Sequence, residues 1–162
     1  SSAASDVYKR QAVLNFKFHN CGAYAELLSH EMVRSIKDVY RDREFDLVTC
    51  VPMHKDTLRK RGYNQAELLA KECARLLGIE YADLLAKTKK NKTQHSIKAA
   101  ERAKNVIGVY SPIDKNLIKG KRILIIDDII TTGSTLGECA RILNKCKCGE
   151  ICCCTLCTSL LI

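Results

Sequence analysis

Ile123-Leu124-Ile125-Ile126-Asp127-Asp128-Ile129-Ile130-Thr131-Thr132-Gly133-Ser134-Thr135 joins an unbroken aliphatic run to an acidic pair and then to a turn of small, hydroxylated residues. Four aliphatic residues without alternation predict a strand buried on both faces, the pattern of a parallel sheet covered by helices. The strand is expected to end at Asp127-Asp128, at the carboxyl edge of the sheet where ligands of open α/β folds bind. Adjacent carboxylates there repel each other and lose hydration. The vicinal hydroxyls of a ribose, with Mg²⁺ nearby, would offset that cost. Thr131, Thr132, Gly133, Ser134 and Thr135 then open a helix. Small residues let backbone N–H groups converge, and the hydroxyls and the positive helix end complete a cradle for a phosphomonoester. An ordinary capping turn would account for an Asp or a Thr alone. The ordered combination fits a ribose 5-phosphate instead. The chain holds no Gly-x-x-x-x-Gly-Lys-Ser/Thr, which sets a Walker-type loop aside.

Outward from this stretch, helices and strands alternate. Residues 8–18 and 22–40 read as helices, the second with Tyr24, Leu27, Leu28, Met32 and Ile36 at helical spacing. Residues 45–51 form a short β-rich run halted by Pro52, and residues 53–62 read as a basic loop. Asn64 followed by Glu67 marks a helix start, and Gly78 its end. Residues 82–86 and 106–110 carry β character; residues 87–105 are polar, basic and weakly periodic. Residues 136–146 read as a helix, broken by Gly149 before a last strand. The expected fold is α/β, a mostly parallel central sheet flanked by helices. Its 162 residues fit one domain, with residues 1–5 as a tail.

Lys plus Arg number 27 against 18 Asp plus Glu, a net charge of +9 that favours an anionic partner without choosing among polyphosphate, nucleic acid and membrane surface. No apolar run approaches the ~20 residues that span a bilayer. Residues 1–6 lack the pattern of a signal peptide, so a cytoplasmic protein with no membrane partner is expected. Of the 10 cysteines, six gather between Cys146 and Cys157. The run Ile151-Cys152-Cys153-Cys154-Thr155-Leu156-Cys157 reads as an apolar strand, in which free cysteine acts as a small hydrophobe. Strand alternation sends Cys152 and Cys153 to opposite faces, against a shared zinc site.

Two further segments narrow the reading. Val51-Pro52-Met53-His54-Lys55 follows a strand, and Arg59, Lys60 and Arg61 follow in turn before Gly62-Tyr63-Asn64-Gln65. Such a loop could reach a pyrophosphate by charge and backbone donors. Downstream lie Thr93-Gln94, Glu101-Arg102, Asn105 and Gly108, with His95 as a lone loop histidine left outside the site.

The acidic stretch resembles the 5-phosphoribosyl-1-pyrophosphate (PRPP) motif of type I phosphoribosyltransferases. The two further segments resemble the ComF family within that superfamily, and the likeness runs from about Tyr8 to the last strand. It implies that Asp127 and Asp128 hold the ribose hydroxyls and that Thr131, Thr132, Gly133, Ser134 and Thr135 bind the 5-phosphate. It further implies that Val51, Pro52, Met53, His54 and Lys55, with Arg61, hold the pyrophosphate. Thr93, Gln94 and Arg102 would belong to a flexible loop over the site. Mg²⁺ is expected with PRPP, held through the ligand and not by direct protein ligation. The implied reaction is displacement of pyrophosphate from PRPP by a nitrogen nucleophile, an amine or nucleobase that the sequence does not identify. Two other classes stay open: a PRPP-binding regulator without turnover, and an accessory protein of DNA uptake. Weak or indirect DNA contact and a homodimer are compatible with all three. With 6% aromatics and no Trp, stacking on single strands has little to work with. Members of the family often carry an N-terminal four-cysteine zinc module. No Cys precedes Cys21, so the chain departs from the family pattern there.

Overall fold

The computed structural model describes residues 22–89 and 106–158. In chain order the elements are α1 (Gly22–Val39), β1 (Leu47–Cys50), α2 (Lys55–Arg61), α3 (Gln65–Leu77), β2 (Glu80–Tyr81), β3 (Leu85–Lys87), β4 (Tyr110–Pro112), α4 (Lys115–Ile118), β5 (Arg122–Ile130), α5 (Ser134–Lys145) and β6 (Glu150–Thr158). Four strands form a parallel sheet in the order β2-β1-β5-β6, and β3 pairs with β4 in a separate antiparallel ribbon.

The parallel sheet is where the aliphatic run placed it. Ile123, Leu124, Ile125 and Ile126 are all fully buried, because β5 lies between β1 and β6 and helices cover both faces. Each such side chain contributes roughly 1.5–3 kcal/mol by leaving water. On one face Leu124 and Ile126 join Val48, Cys50 and Cys152 under α1 and α3. On the other, Ile123 and Ile125 join Leu47, Val51 and the apolar side of α5. The alternation expected of the cysteine-rich strand is present: Cys152 packs with the first cluster and Cys153 with the second.

Register between β1 and β5 is locked at the amino end of the sheet. Asp46 accepts from the Arg122 backbone N–H at 2.8 Å and from its guanidinium at 3.1 and 2.8 Å, while Glu44 accepts from Arg122 Nη1 at 2.8 Å. These bonds to Arg122 hold the Asp46 carboxyl well below the usual carboxylate range. From this latch the pairs run Leu47↔Ile123 to Cys50↔Ile126.

Several boundaries differ from the sequence reading, among them the strand expected at 82–86, which is β3 at Leu85–Lys87. The basic loop expected at 53–62 contains α2, capped at its start by the His54 side chain and at its end by Gly62 with φ 88°. It buries no residue, so no apolar period announces it. β5 does not stop at the acidic pair but continues to Ile130, because β6 runs beside it as far as Ile130↔Thr158. Residues 106–109 are turn, and the strand expected at 106–110 begins at Tyr110. The helix expected at residues 8–18 lies outside the described residues. No helix among the described residues is long and apolar enough to cross a membrane.

Candidate functional site

The chain leaves β1 towards β2 on one side, and leaves β5 towards β6 on the other. The carboxyl ends of β1 and β5 therefore flank the point where strand order reverses, the crevice in which open α/β sheets bind ligands. β1 delivers Val51, Pro52, Met53, His54 and Lys55 there, and β5 delivers Asp127 and Asp128. The junction is close: the Val51 N–H donates to the Ile126 carbonyl at 3.0 Å.

Asp127 is 9% exposed. Its Oδ1 accepts the Asp128 N–H at 2.9 Å, and Asp128 Oδ1 accepts the Ile129 N–H at 2.8 Å. Burial first, and the neighbouring Asp128 charge second, push the Asp127 carboxyl up to about 8. Such a carboxyl keeps its proton at neutral pH in the free protein, and strongly perturbed acids of this kind cluster at functional sites.

Beyond β5, Thr131 and Thr132 are exposed and Gly133, Ser134 and Thr135 are half-buried. Gly133 has φ 74°, a left-handed turn that L side chains resist. As the N-cap of α5 it offers no side-chain bond to the first helical amides, which leaves them to the neighbouring hydroxyls or to an anion. Thr132 Oγ1 lies 2.8 Å from Ser134 Oγ and 3.4 Å from the Ser134 N–H. Gly137 N–H donates to the Gly133 carbonyl at 2.8 Å, which closes the first turn.

Across the crevice, His54 is half-buried and its Nδ1 accepts the Asp56 N–H at 3.2 Å. Lys55 is exposed at the start of α2. Arg61 is exposed and donates to the buried Gln65 side chain at 3.0 Å. A cleft of about 160 Å³ opens beside this loop, lined by Pro52, Met53, Lys55, Asn64, Asp83 and Lys87 among others. It flanks the 51–55 loop and does not extend over the acidic pair. Thr93, Gln94 and Arg102 lie outside the described residues.

Two residues of the site escaped the sequence reading. Lys87 closes β3 and is half-buried, its Nζ 5.5 Å from the centroid of the Tyr110 ring. Burial pulls its ammonium down, while Cys139 and Asp127 act in the opposite direction. It was one lysine in a basic run with Lys89, Lys90 and Lys92, and composition could not single it out. Asn64 was legible as a helix cap only. Its side chain also donates to the Val51 carbonyl at 3.1 Å, a tertiary contact without a sequence signal.

The parallel sheet β2-β1-β5-β6 between helices, with Asp127 and Asp128 at the carboxyl end of β5, has the architecture of a phosphoribosyltransferase-like α/β domain. The chain belongs to the phosphoribosyl transferase domain family, whose model matches residues 64–160, more than half of it. It is 31% identical over 144 residues to Competence protein F of Haemophilus influenzae, across 86% of this chain and 63% of that protein. It is 30% identical over 101 residues to DNA utilization protein YhgH of Escherichia coli K12, across 62% of this chain and 44% of the relative. The chain thus spans between about two fifths and just under two thirds of these relatives. The resemblance to the ComF family is borne out. Glutamine PRPP amidotransferase from B. subtilis, in complex with ADP and GMP, shares the fold at a TM-score of 0.57 and 21% identity, across 83% of this chain and 26% of that one.

Proposed function

We propose that the domain binds PRPP and transfers its phosphoribosyl group to a nitrogen nucleophile. The observation that carries this reading is the hydrogen bond from the Val51 N–H to the Ile126 carbonyl, which sets a basic loop beside two carboxylates at the sheet's reversal point. Asp127 and Asp128 accept hydrogen bonds from the ribose hydroxyls; donors of this kind stabilise the ionised form that burial disfavours in Asp127. Residues 131–135 take the 5-phosphate on the start of α5. Residues 51–55 and Arg61 face the diphosphate.

The acidic pair suits a ligand that carries a hard cation, since its oxygens are what such ions prefer. Magnesium held through PRPP would supply neutralisation of the leaving diphosphate. In the transfer, the C1–O bond breaks and pyrophosphate leaves with the electron pair. The nitrogen lone pair forms the new bond at C1, and the nitrogen then loses its proton. The protein's part is to hold sugar and diphosphate in one geometry and to meet the departing charge with fixed donors.

A second reading is favoured by the names of the relatives, which point to competence and DNA utilization. In it the cradle senses PRPP without turnover, and the exposed Arg59 and Lys60 of α2 contact DNA. A pyrophosphate-release assay across amines and nucleobases, run beside a PRPP titration, separates the two. Binding with release supports transfer; binding without release under every acceptor supports the sensor.

A further inference from the structure

Asn64 uses both ends of its amide on different parts of the fold. Its Oδ1 accepts the Ala66 N–H at 3.2 Å, which caps α3. Its Nδ2 donates to the Val51 carbonyl at 3.1 Å and reaches Cys50 Sγ at 3.8 Å. The side chain is buried, and flipping it would set acceptor against acceptor at Val51 and donor against donor at Ala66, so its orientation is fixed.

We propose that Asn64 is a positioning residue for the diphosphate loop, holding residues 51–55 in the shape that meets the ligand. The inference rests on the reading of that loop as the diphosphate subsite. A helix cap needs only an acceptor, and Ser, Thr or Asp would serve as well. The donor half is not needed for the cap, and it goes to the first peptide of the loop. That peptide group sits at the hinge between sheet and loop: β5 holds Val51 through its N–H, and α3 holds it through its carbonyl. Pro52 follows and has no N–H of its own with which to anchor the chain. With Val51 gripped from both sides, the direction in which Met53, His54 and Lys55 leave the sheet is set. The next residue extends the same grip, because Gln65 Oε1 accepts from Arg61 at 3.0 Å.

Asn64→Asp and Asn64→Ser test this, because both keep an oxygen for Ala66 and neither can donate to Val51 as the amide does. Their melting curves show whether the fold survives loss of the donor. Amide exchange at Met53, His54 and Lys55 reports on the loop without any ligand. Calorimetry with PRPP, pyrophosphate and ribose 5-phosphate reports on the subsite. The expected result is a cooperative melting curve lowered in both variants, more in Asn64→Asp, where a carboxylate oxygen faces the Val51 carbonyl, with exchange at least tenfold faster in the loop, PRPP and pyrophosphate affinity reduced tenfold or more, and ribose 5-phosphate affinity within twofold. Unchanged loop exchange in a folded variant would overturn the proposal. So would equal loss of all three ligands, or failure of both variants to fold, which would assign Asn64 to stability alone. If the unaltered protein bound neither PRPP nor pyrophosphate, the subsite reading itself would fail. The exchange data would still decide whether Asn64 holds the loop.

Discussion

The Val51 N–H donates to the Ile126 carbonyl at 3.0 Å, so that Val51, one residue beyond the last β1–β5 pair Cys50↔Ile126, is held against the residue that precedes Asp127. Two segments separated by more than seventy positions in the chain thereby become neighbours at the edge of the sheet. The Asp46–Arg122 latch fixes that register from the opposite end.

Asp127 makes stability depend on pH in an unusual direction. Its carboxyl titrates near 8 in the fold and at ~4 in an unfolded chain. Between those values the folded state keeps a proton that the unfolded state has lost. The stability linked to this group is therefore full below ~4 and is lost as pH rises to about 8. Asp127→Asn keeps the oxygen that accepts from Asp128 but cannot ionise. Its melting temperature relative to the unaltered protein should rise from pH 5 to pH 9. A gap that stays constant over this range would show that the carboxyl is not held protonated.

Gly133 and Gly149 should respond to alanine in opposite ways. At Gly133 the added Cβ meets only Ile130 Cδ1 at 3.7 Å, so the cost is the left-handed turn, about 1–2 kcal/mol, and the turn proposed to bind the 5-phosphate is distorted. At Gly149 the Cβ would stand 2.7 Å from the Gly120 carbonyl oxygen, a backbone clash at the end of the sheet remote from the cradle. Overpacking of that kind costs roughly 1–3 kcal/mol. Urea unfolding with a parallel PRPP titration should find affinity lost in Gly133→Ala and kept in Gly149→Ala.

The aliphatic run, the glycine turn and the caps at Asn64 and Gly78 could be read from sequence because each is a local preference that the fold does not override. The fully buried Ile123 and the left-handed Gly133 are direct cases. Cys152 and Cys153 parted to opposite faces as strand geometry requires. α2 was not legible, since a seven-residue helix that buries nothing has no periodicity to detect. Lys87 and the Asn64–Val51 bond were not legible either. Their meaning depends on what the fold sets beside them, Asp127 in one case and the loop peptide in the other.

Burial pushes the thiols of Cys50, Cys73 and Cys139 up to about 12. At pH 8 these groups should react with a thiol-specific reagent no faster than the fold opens, whereas the part-exposed Cys148 reacts directly. Mass mapping of a time course checks the order. Early modification of Cys139 would show that α5 does not pack against the sheet as described.

Any DNA binding through α2 should share its charges with the loop proposed to hold the diphosphate. Arg59 and Lys60 lie on the helix that this loop enters. Affinity should therefore fall steeply with salt and be competed by PRPP or pyrophosphate. Anisotropy with a labelled duplex checks this. Binding that persists at saturating PRPP and after charge reversal at Arg59 and Lys60 would locate a separate DNA site and favour the accessory role.

Calorimetric titration with PRPP, with and without Mg²⁺, on the unaltered protein and on the Asp127→Asn/Asp128→Asn variant tests the central claim most directly. Two hydrogen bonds to charged acceptors contribute roughly 1.5–3 kcal/mol each. Saturable binding to the unaltered protein is expected, strengthened by Mg²⁺ and weakened on the order of 100-fold or more in the variant, with both proteins melting cooperatively. Equal affinity for PRPP in the two folded proteins, or no binding by either, would contradict the assignment of the acidic pair to the ribose.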